Sequence, residues 1–277
     1  MMNLFGGNGY LGREYQNIDR CIVNDRNDLT AKSSDVLYMI STITNYNVRV
    51  NPYIDIDTNL TTLMHVLENL RKEKYTRPVF NFVSSWFVYG TQESMPVKED
   101  AHCDPKGFYG ITKRTAEQLL MSYCDTFNIE YRILRMSNII GGTDPKASAA
   151  KNALTWIIGK LKRNEAVELY DGGDFLRDYM HVADAARAIH LVCQHGKRNS
   201  IYNITNNMPI RFRDLIDYAV EKTGSRSEIT NIPQRDFHKK VQAKDMYLDG
   251  SKLKELGYAL NKGVYRTIDE LIDNPAV

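Results

Sequence analysis

A tyrosine and a lysine four residues apart are the first residues of this sequence that could perform chemistry. They lie in the segment Tyr109-Gly110-Ile111-Thr112-Lys113, so on a helix both side chains project from the same face, one turn apart. A lysine ammonium beside a phenol favours the phenolate and lowers the phenol's pKa from about 10 toward the operating pH. The spacing therefore predicts that Tyr109 exchanges a proton with a substrate hydroxyl. The alternative is an incidental tyrosine and a solvated lysine on an ordinary helix.

Two serines end a buried-strand pattern upstream of this pair. The run Phe82-Val83-Ser84-Ser85-Trp86-Phe87-Val88-Tyr89-Gly90 passes from apolar residues to serines and then to a glycine turn. In open parallel sheets the ends of strands carry the active site. The hydroxyl of Ser85 could donate to the same substrate oxygen whose proton Tyr109 handles. Trp86 and Phe87 either shape the substrate pocket or pack beneath it.

A glycine-rich turn near the start of the chain indicates a nucleotide site. The segment from Leu4 to Gly12 places glycines after a short apolar run and before a possible helix. Such a turn lets the backbone approach a pyrophosphate, whose charge meets N–H groups at a helix N-terminus. Asp25 is the candidate for the adenosine ribose, whereas Arg26 could meet a 2′-phosphate, and on balance we expect NAD with NADP possible. An ordinary glycine turn is the alternative.

These residues need elements to position them, and the sequence pattern predicts an α/β fold. Short β-rich runs at 2–5, 20–24, 35–41, 79–84, 131–135 and 201–204 alternate with helical patterns at 55–73, 108–127, 148–163, 182–195, 211–223 and 265–272. Only a short stretch follows Gly12 before the next strands, so we expect a helix and a strand of a complete cofactor half to be missing around 13–35. The apolar positions of 108–127 predict one buried helix face, made of Phe108, Ile111, Ala116, Leu119, Leu120, Tyr123 and Phe127.

Composition and charge argue against several classes of partner. The 36 basic and 34 acidic residues leave a net charge of +2, which gives no broad field for nucleic acid or a membrane surface. The longest apolar runs are far shorter than the roughly 20 residues of a membrane span, and the N-terminus lacks a signal-peptide pattern. We therefore expect a cytoplasmic protein. The four cysteines have neither CxxC pairing nor metal-ligand spacing, so we expect no metal.

Taken together, these motifs resemble the extended short-chain dehydrogenase/reductase family, the NAD-dependent sugar-nucleotide epimerases and dehydratases. The resemblance runs over nearly the whole chain. Residues 6–12 are similar to the family's GGxGxxG, 84–90 to its SSxxVYG and 109–113 to its YxxxK. Further similarities are LRxxN at 134–138, RDYxHVxD at 177–184, the YNI strand at 201–204 and a helix asparagine at Asn59.

The resemblance implies a Rossmann-like doubly wound parallel sheet, with a cofactor domain at 1–141 and a smaller substrate-binding lobe mainly at 142–277, some segments of which return to the core. It implies that Ser85 is the active-site hydroxyl, Tyr109 the acid/base and Lys113 the residue that holds Tyr109 and the nicotinamide ribose. The expected cofactor contacts, besides Tyr109 and Lys113, are Gly6, Gly9, Tyr10, Leu11, Gly12, Asp25, Arg26 and Ser41.

The same resemblance implies contacts with a nucleotide-diphosphate sugar. Asn138 would meet the sugar or phosphate and Asn152 the nucleotide end, with loop or helix capping as their alternative. Arg177 would bind the diphosphate, because its planar fork of donors matches phosphate oxygens. Ser85, Trp86 and Phe87 complete the expected substrate site. A family-like homodimer would pair helices 55–73 and 108–127 with those of a second subunit.

The residues after Ser85 bear on the reaction. The 4,6-dehydratases have an acidic pair or a glutamate there, whereas this chain has Trp86 and Phe87, so dehydration is disfavoured. Decarboxylation is disfavoured as well, because the glutamate expected before the VYG valine is absent. The sequence thus predicts an NAD-dependent epimerase that acts through a transient keto sugar. The alternatives are an NAD(P)H-dependent 4-keto-sugar-nucleotide reductase and a catalytically silent nucleotide-binding protein with a shortened cofactor half.

Overall fold

The computed structural model describes residues 1–144, 147–275 and 277, in which short strands alternate with helices. The strands are β1 (Met2–Phe5), β2 (Cys21–Val23), β3 (Asp35–Tyr38), β4 (Val79–Ser85), β5 (Glu130–Met136), β6 (Asn138–Ile140), β7 (Val167–Tyr170), β8 (Leu176–Arg177), β9 (Tyr179–His181), β10 (Ser200–Ile204), β11 (Ile210–Arg211) and β12 (Ile229–Ile232). The helices are α1 (Tyr10–Gln16), α2 (Tyr53–Ile56), α3 (Thr62–Lys72), α4 (Phe108–Phe127), α5 (Ala153–Lys162), α6 (Val182–His195), α7 (Phe212–Thr223), α8 (Asp236–Val241), α9 (Ser251–Glu255) and α10 (Val264–Asp273). A π-helical turn at Asp57–Thr61 joins α2 to α3.

The centre of the molecule is a six-stranded sheet in the order β10-β5-β4-β3-β1-β2. Every neighbouring pair is parallel. One apolar cluster lies between the sheet and helices α1 and α6, and another lies between the opposite face and helices α3 and α4. Because both faces are covered, β1 is buried at all of its residues. The predicted Rossmann-like α/β fold is confirmed, and the six predicted strands of this sheet match the observed ones to within a few residues.

The sheet lacks a strand on the side of β2. A doubly wound sheet of order 3-2-1-4-5-6 has a further strand outside the second one, whereas β2 is the edge strand here. Residues 24–34 lead from β2 to β3 without a helix or strand. Buried asparagines hold this connection: Asn3 Nδ2 donates to Asn24 Oδ1 at 2.6 Å, and the Asn24 amide donates to two carbonyls of the connection. The shortened segment is therefore a hydrogen-bonded loop.

A third apolar cluster lies beyond the parallel sheet. Helices α5, α7 and α10 pack together there with the parallel pair β7 and β12. Strand β10 belongs to the six-stranded sheet instead, because it pairs with β5. Helix α6 covers one face of the same sheet, where it packs on α1. No helix in the described ranges is long and apolar enough to cross a membrane.

Helix α4 buries a different face from the one that its apolar pattern predicts. Ala116 and Leu120 are buried as expected, whereas three of the predicted core positions are about two-fifths exposed: Ile111, Leu119 and Phe127. The predicted burial of those three is wrong because the helix turns polar side chains toward the sheet. Its buried residues are Tyr109, Gly110, Thr112, Lys113, Ala116, Glu117, Leu120 and Cys124.

A buried ion pair explains that orientation. Both oxygens of Glu117 on α4 accept hydrogen bonds from Arg135 on β5, at 3.0 and 2.8 Å, and the two side chains are almost fully inaccessible. Ser84 Oγ on β4 donates to the same carboxylate at 2.6 Å. Because a buried charge is costly without its partner, this cluster fixes α4 against β4 and β5.

We predict that Glu117→Ala lowers the free energy of unfolding by about 3–5 kcal/mol, because it leaves the Arg135 guanidinium buried without a counter-charge. Urea unfolding followed by circular dichroism measures this loss. The matched control is Glu165→Ala, which removes an exposed partner of Arg163 and should leave stability unchanged. Equal midpoints for the two variants would contradict the role given to Glu117.

Candidate active site

The candidate site is a cavity of about 610 Å³ at the carboxyl ends of the parallel strands. Residues that follow β1, β3 and β4 line one side, and residues of α5, β7 and α8 line the other. A cavity of this size at the carboxyl edge of a doubly wound sheet is the usual place for a ligand.

The glycine turn forms the end of the cavity nearest β1. Gly6 has a φ of +86°, and a Cβ there would lie 3.0 Å from the Met39 carbonyl carbon. A Cβ on Gly12 would lie 2.4 Å from the Gly6 carbonyl oxygen, so the turn cannot accept a side chain at either position. Gly9, Tyr10 and Leu11 complete this lining. The turn therefore presents bare backbone to the cavity, which is the kind of surface that binds phosphate groups in proteins.

Tyr109 and Ser85 meet in the cavity wall. Tyr109 is in the first turn of α4 and Ser85 is the last residue of β4, and each is 8% exposed. Ser85 and Ser41 line the cavity together with Tyr109. Burial raises the pKa of Tyr109, and the neighbouring Ser85 and Ser41 hydroxyls only partly offset that rise.

Lys113 lies one turn further along α4, with its ammonium directed at the sheet. Its Nζ donates to the Val83 carbonyl oxygen at 2.6 Å and stands 4.0 Å from the centre of the Phe82 ring. Burial lowers the pKa of Lys113 to about 7, and the charge of Glu117 opposes that shift. The expectation that Lys113 lowers the phenol's pKa is therefore wrong for this conformation, because burial dominates the pKa of both groups.

An asparagine from a distant loop holds the start of α4. Asn45 Oδ1 accepts a hydrogen bond from the Tyr109 backbone N–H at 3.1 Å, although 64 residues separate the two. The residue at the helix N-cap is Gly107, which supplies no side-chain acceptor. Asn45 therefore takes the place of a local cap and fixes the turn that carries Tyr109. Sequence reasoning missed it, because capping motifs are recognised from neighbours in sequence.

Trp86 and Phe87 both line the cavity, which favours the pocket-shaping interpretation over mere packing. Their rings stack with centroids 3.9 Å apart, and the Phe87 ring meets the Tyr109 ring edge-on at 5.5 Å. An apolar wall thus stands beside the candidate proton-transfer group. Such a wall excludes water and strengthens electrostatic interactions in the site.

The three expected substrate contacts line the cavity while holding partners within the chain. Arg177 lines the cavity and donates to the carbonyl oxygens of Leu176, Ala243 and Lys244, which engages three of the five N–H donors of a guanidinium. Asn138 Nδ2 donates to the Asp178 carbonyl at 3.0 Å. Asn152 occupies the N-cap position of α5, and its Oδ1 accepts from Thr155 Oγ1 at 3.0 Å without accepting from a backbone N–H of the helix.

Of the residues expected to bind the cofactor, two are not brought to the cavity. Asp25 and Arg26 are exposed in the loop after β2 and lie outside the cavity lining. The other expected site residues all line it: Gly6, Gly9, Tyr10, Leu11, Gly12, Ser41, Ser85, Trp86, Phe87, Tyr109, Lys113, Asn138, Asn152 and Arg177. The described residues contain no group of three or more His, Cys, Asp or Glu side chains arranged to hold a metal ion.

A contact between two distant segments forms part of the cavity lining. Tyr46 OH lies 2.9 Å from His238 Nδ1, and the Tyr46 ring packs on Phe237 at 5.3 Å. His238 in turn packs on Tyr170 with ring centroids 4.6 Å apart. Tyr46, Tyr170 and His238 all line the cavity. The sequence analysis missed them, because 192 residues separate Tyr46 from His238 and no local pattern marks the pair.

Comparison with known families gives a match over most of the chain. The model of the NAD dependent epimerase/dehydratase family matches residues 5–205. A relative from Methanocaldococcus jannaschii, provisionally named UDP-glucose 4-epimerase, is 30% identical over 248 residues, which cover 87% of this chain and 78% of the relative. A dTDP-glucose 4,6-dehydratase from Salmonella typhimurium is 27% identical over 253 residues, which cover 80% of this chain and 68% of the relative.

Solved structures share the fold at lower sequence identity. The UDP-glucose 4-epimerase of Thermus thermophilus, crystallised with NAD, superposes with a TM-score of 0.84 at 20% identity. The superposition covers 98% of this chain and 97% of that one. The arrangement of strands and helices is therefore shared over nearly the whole length, with the shortened connection after β2 set within it.

Proposed function

The chain belongs to the NAD dependent epimerase/dehydratase family, and from this premise we propose that it is an NAD-dependent sugar-nucleotide epimerase. The observation that carries the proposal is the meeting of Tyr109 and Ser85 in a cavity whose other end is the glycine turn. In the proposed reaction Tyr109 takes the proton of a sugar hydroxyl and later returns it, while Ser85 orients the same oxygen. The cofactor, when bound, accepts hydride from the sugar carbon and gives it back.

The proposed cofactor contacts follow from the lining of the cavity. Gly6, Gly9 and Gly12 would take the diphosphate, because their backbone leaves room for it. Ser41 lies between the turn and Tyr109 and would face the nicotinamide side, together with Lys113. Asp25 and Arg26 have no part in this proposal, since both are exposed outside the cavity. NAD is the proposed cofactor, with NADP as the alternative.

For the substrate we propose a nucleotide-diphosphate sugar whose diphosphate meets Arg177. Relatives named for such substrates support this class. Arg177 is 8% exposed, and burial together with the hydrogen bonds to Leu176, Ala243 and Lys244 carbonyls holds its guanidinium in place. A fixed planar donor group suits a diphosphate, because little side-chain freedom is lost on binding.

Dehydration is not part of the proposal, although one relative is named a 4,6-dehydratase. Elimination of water needs an additional acid and base beside the sugar, and Trp86 and Phe87 occupy that part of the wall with apolar rings. Trp86 and Phe87 therefore favour a reaction that needs no acid or base besides Tyr109 and Ser85.

A specific observation favours net reduction of a keto sugar as the second candidate. Burial raises the pKa of Tyr109, which keeps the phenol protonated and ready to donate to a carbonyl oxygen. A reductase would use the same residues and exchange its cofactor after each turnover. The two candidates thus differ in cofactor retention, and a catalytically silent protein would show neither cofactor binding nor turnover.

The first experiment asks whether the purified protein releases a nicotinamide dinucleotide on denaturation, by absorbance and mass spectrometry. An epimerase that regenerates its cofactor is expected to retain NAD, and UDP-, GDP-, CDP- and dTDP-sugars are then screened for interconversion. Release of no cofactor, with reversible binding of added NAD or NADP, would favour the reductase. Failure to bind either dinucleotide would overturn both enzymatic proposals.

We predict that Tyr109→Phe abolishes turnover, because the ring remains but the exchangeable proton is lost. Circular dichroism and the dinucleotide dissociation constant should match those of the wild type within about threefold, since the phenol oxygen makes one contact among many. Tyr265→Phe, at a residue that is 42% exposed, is the control. Full activity of the Tyr109 variant would remove it from the reaction.

We further propose that the chain forms a homodimer through helices α2 to α4, the segments predicted for this role. Ile54, Ile56, Ile111, Leu119 and Phe127 leave apolar side chains exposed on α2 and α4, which is the pattern of a surface that a partner covers. Sedimentation equilibrium is expected to give twice the 31.8 kDa chain mass. Leu119→Arg should restore the single-chain mass, whereas Leu260→Arg, at an equally exposed leucine outside these helices, should not. A single-chain mass for the wild type would refute the dimer.

A further inference from the structure

A short 3₁₀ turn at Asn45–Arg49 lies between the start of α4 and helix α8. On one side, Asn45 Oδ1 accepts a hydrogen bond from the Tyr109 backbone N–H at 3.1 Å. On the other side, Tyr46 OH lies 2.9 Å from His238 Nδ1. Neighbouring residues of one turn therefore contact the helix that carries Tyr109 and a helix from the opposite side of the cavity.

The Asn45 amide packs tightly against the N-terminus of α4. Asn45 is 2% exposed, and a Cβ on Gly107 would lie 2.2 Å from its Oδ1. Gly107 has a φ of −98° and a ψ of 150°, which other residues also adopt, so a glycine is needed there for space. The first N–H groups of a helix find no partner inside it, so Asn45 supplies the acceptor that the Tyr109 N–H needs.

Two further side-chain contacts join the same turn to α8. The Tyr46 ring packs on Phe237 with centroids 5.3 Å apart, and the Arg49 guanidinium stands 4.4 Å from the centre of the Phe237 ring. A cation over an aromatic face is attracted by the charge distribution of the ring. Phe237 and Arg49 lie outside the cavity lining, whereas His238, the next residue of α8, is part of it. The turn thus holds α8 both at the cavity wall and behind it.

The segment that follows α8 leads to the proposed diphosphate contact. The carbonyl oxygens of Ala243 and Lys244 accept hydrogen bonds from Arg177 just beyond the end of the helix. A guanidinium is a rigid planar group, so it fixes the two carbonyls relative to each other. Helix α8 is therefore held from the turn at Phe237 and from Arg177 beyond its end.

We propose that the turn Asn45–Arg49 couples α8 to the placement of Tyr109, with Asn45 as the positioning residue. When α8 is docked on Tyr46, the turn keeps the Asn45 amide at the start of α4 and Tyr109 in the cavity wall. When α8 is displaced, Asn45 loses its support and the first turn of α4 loosens. The benefit for catalysis rests on the proposed function, in which a reacting group misplaced by about 1 Å costs about 100-fold in rate.

Hydrogen exchange of the purified full chain, without added substrate, tests the role of Asn45. Mass spectrometry with fragmentation to single amides follows the Tyr109 amide, whose acceptor is Asn45. Asn45→Ala should speed its exchange by about tenfold, because the hydrogen bond is lost. Asn45→Asp keeps an acceptor oxygen and should exchange at nearly the wild-type rate. Unchanged exchange in Asn45→Ala would overturn the positioning role.

Phe237→Ala tests the coupling itself, because this residue lies outside the cavity lining and α8 reaches Asn45 through the turn. We expect about fivefold faster exchange at the Tyr109 amide and an unchanged rate at Leu120 in the middle of α4. The matched control is Tyr265→Ala, which removes a ring that packs on Tyr218 at 4.7 Å and should leave Tyr109 unaffected. Faster exchange within α8 alone would overturn the coupling, whatever the activity of the protein.

Kinetic measurements test the same coupling in the proposed reaction. Asn45→Ala and Phe237→Ala should each lower kcat by about tenfold and change KM by less than about threefold, because Tyr109 is misplaced while the binding groups remain. If both act through one turn, the double variant should lose little more than either single variant. Losses that multiply would overturn the coupling. Faster exchange at Tyr109 in Phe237→Ala, in a chain with no turnover, would support the coupling and reject the proposed function separately.

Gly107→Ala keeps the proposal falsifiable if Asn45→Ala does not fold. Alanine fits the backbone conformation at this position, but its Cβ would displace the Asn45 amide. We expect exchange at the Tyr109 amide to rise and kcat to fall as in Asn45→Ala. Gly263→Ala, at the N-cap of α10, is the matched control, because a Cβ there meets no heavy atom within 4 Å among the described residues. Wild-type exchange and kcat in Gly107→Ala would overturn the positioning role.

Discussion

The position of the site depends on a stripe of three side chains along one face of α4. Tyr109, Lys113 and Glu117 follow one another at four-residue spacing, so they point the same way one turn apart. Each contacts the end of β4: Tyr109 meets the Ser85 hydroxyl, Lys113 the Val83 carbonyl and Glu117 the Ser84 hydroxyl. The Glu117 ion pair with Arg135 fixes the far end of this stripe. Tyr109 is held because the charges behind it cannot move without losing buried partners.

This constraint also explains why burial dominates the pKa values of Tyr109 and Lys113. A stripe pressed against the sheet excludes water from Tyr109 and Lys113, and exclusion shifts both pKa values toward the neutral forms. A neutral phenol is suited to donate a proton, whereas it becomes a base only when positive charge enters the cavity. An oxidised nicotinamide carries such a charge. Binding of the cofactor would therefore alter the protonation of Tyr109 as well as supply the hydride acceptor.

The sequence predicts the parts of the site that local spacing encodes. The pair Tyr109 and Lys113, the serine at the end of β4 and the glycine turn all meet in one cavity, because strand ends of a parallel sheet share an edge. The sequence does not predict Asn45 or the pair Tyr46 and His238, whose partners are set by packing between segments far apart in the chain. The exposure of Ile111, Leu119 and Phe127 on α4 was not predicted either. Apolar periodicity alone does not show that buried charges orient the helix.

The shortened half of the sheet lies away from Tyr109. It concerns how the chain holds a cofactor, which is the property in which an epimerase and a reductase differ. Tyr109, Ser85 and Lys113 line the cavity, whereas β2 is an edge strand and the loop after it leaves Asp25 and Arg26 in solvent. A dinucleotide bound here would be held chiefly by the glycine turn and the residues around Ser41. An epimerase must keep its cofactor through many cycles, and a reductase must release it after each one. The same residues could serve both of the proposed reactions, so the affinity of the chain for its cofactor is the property that would separate them.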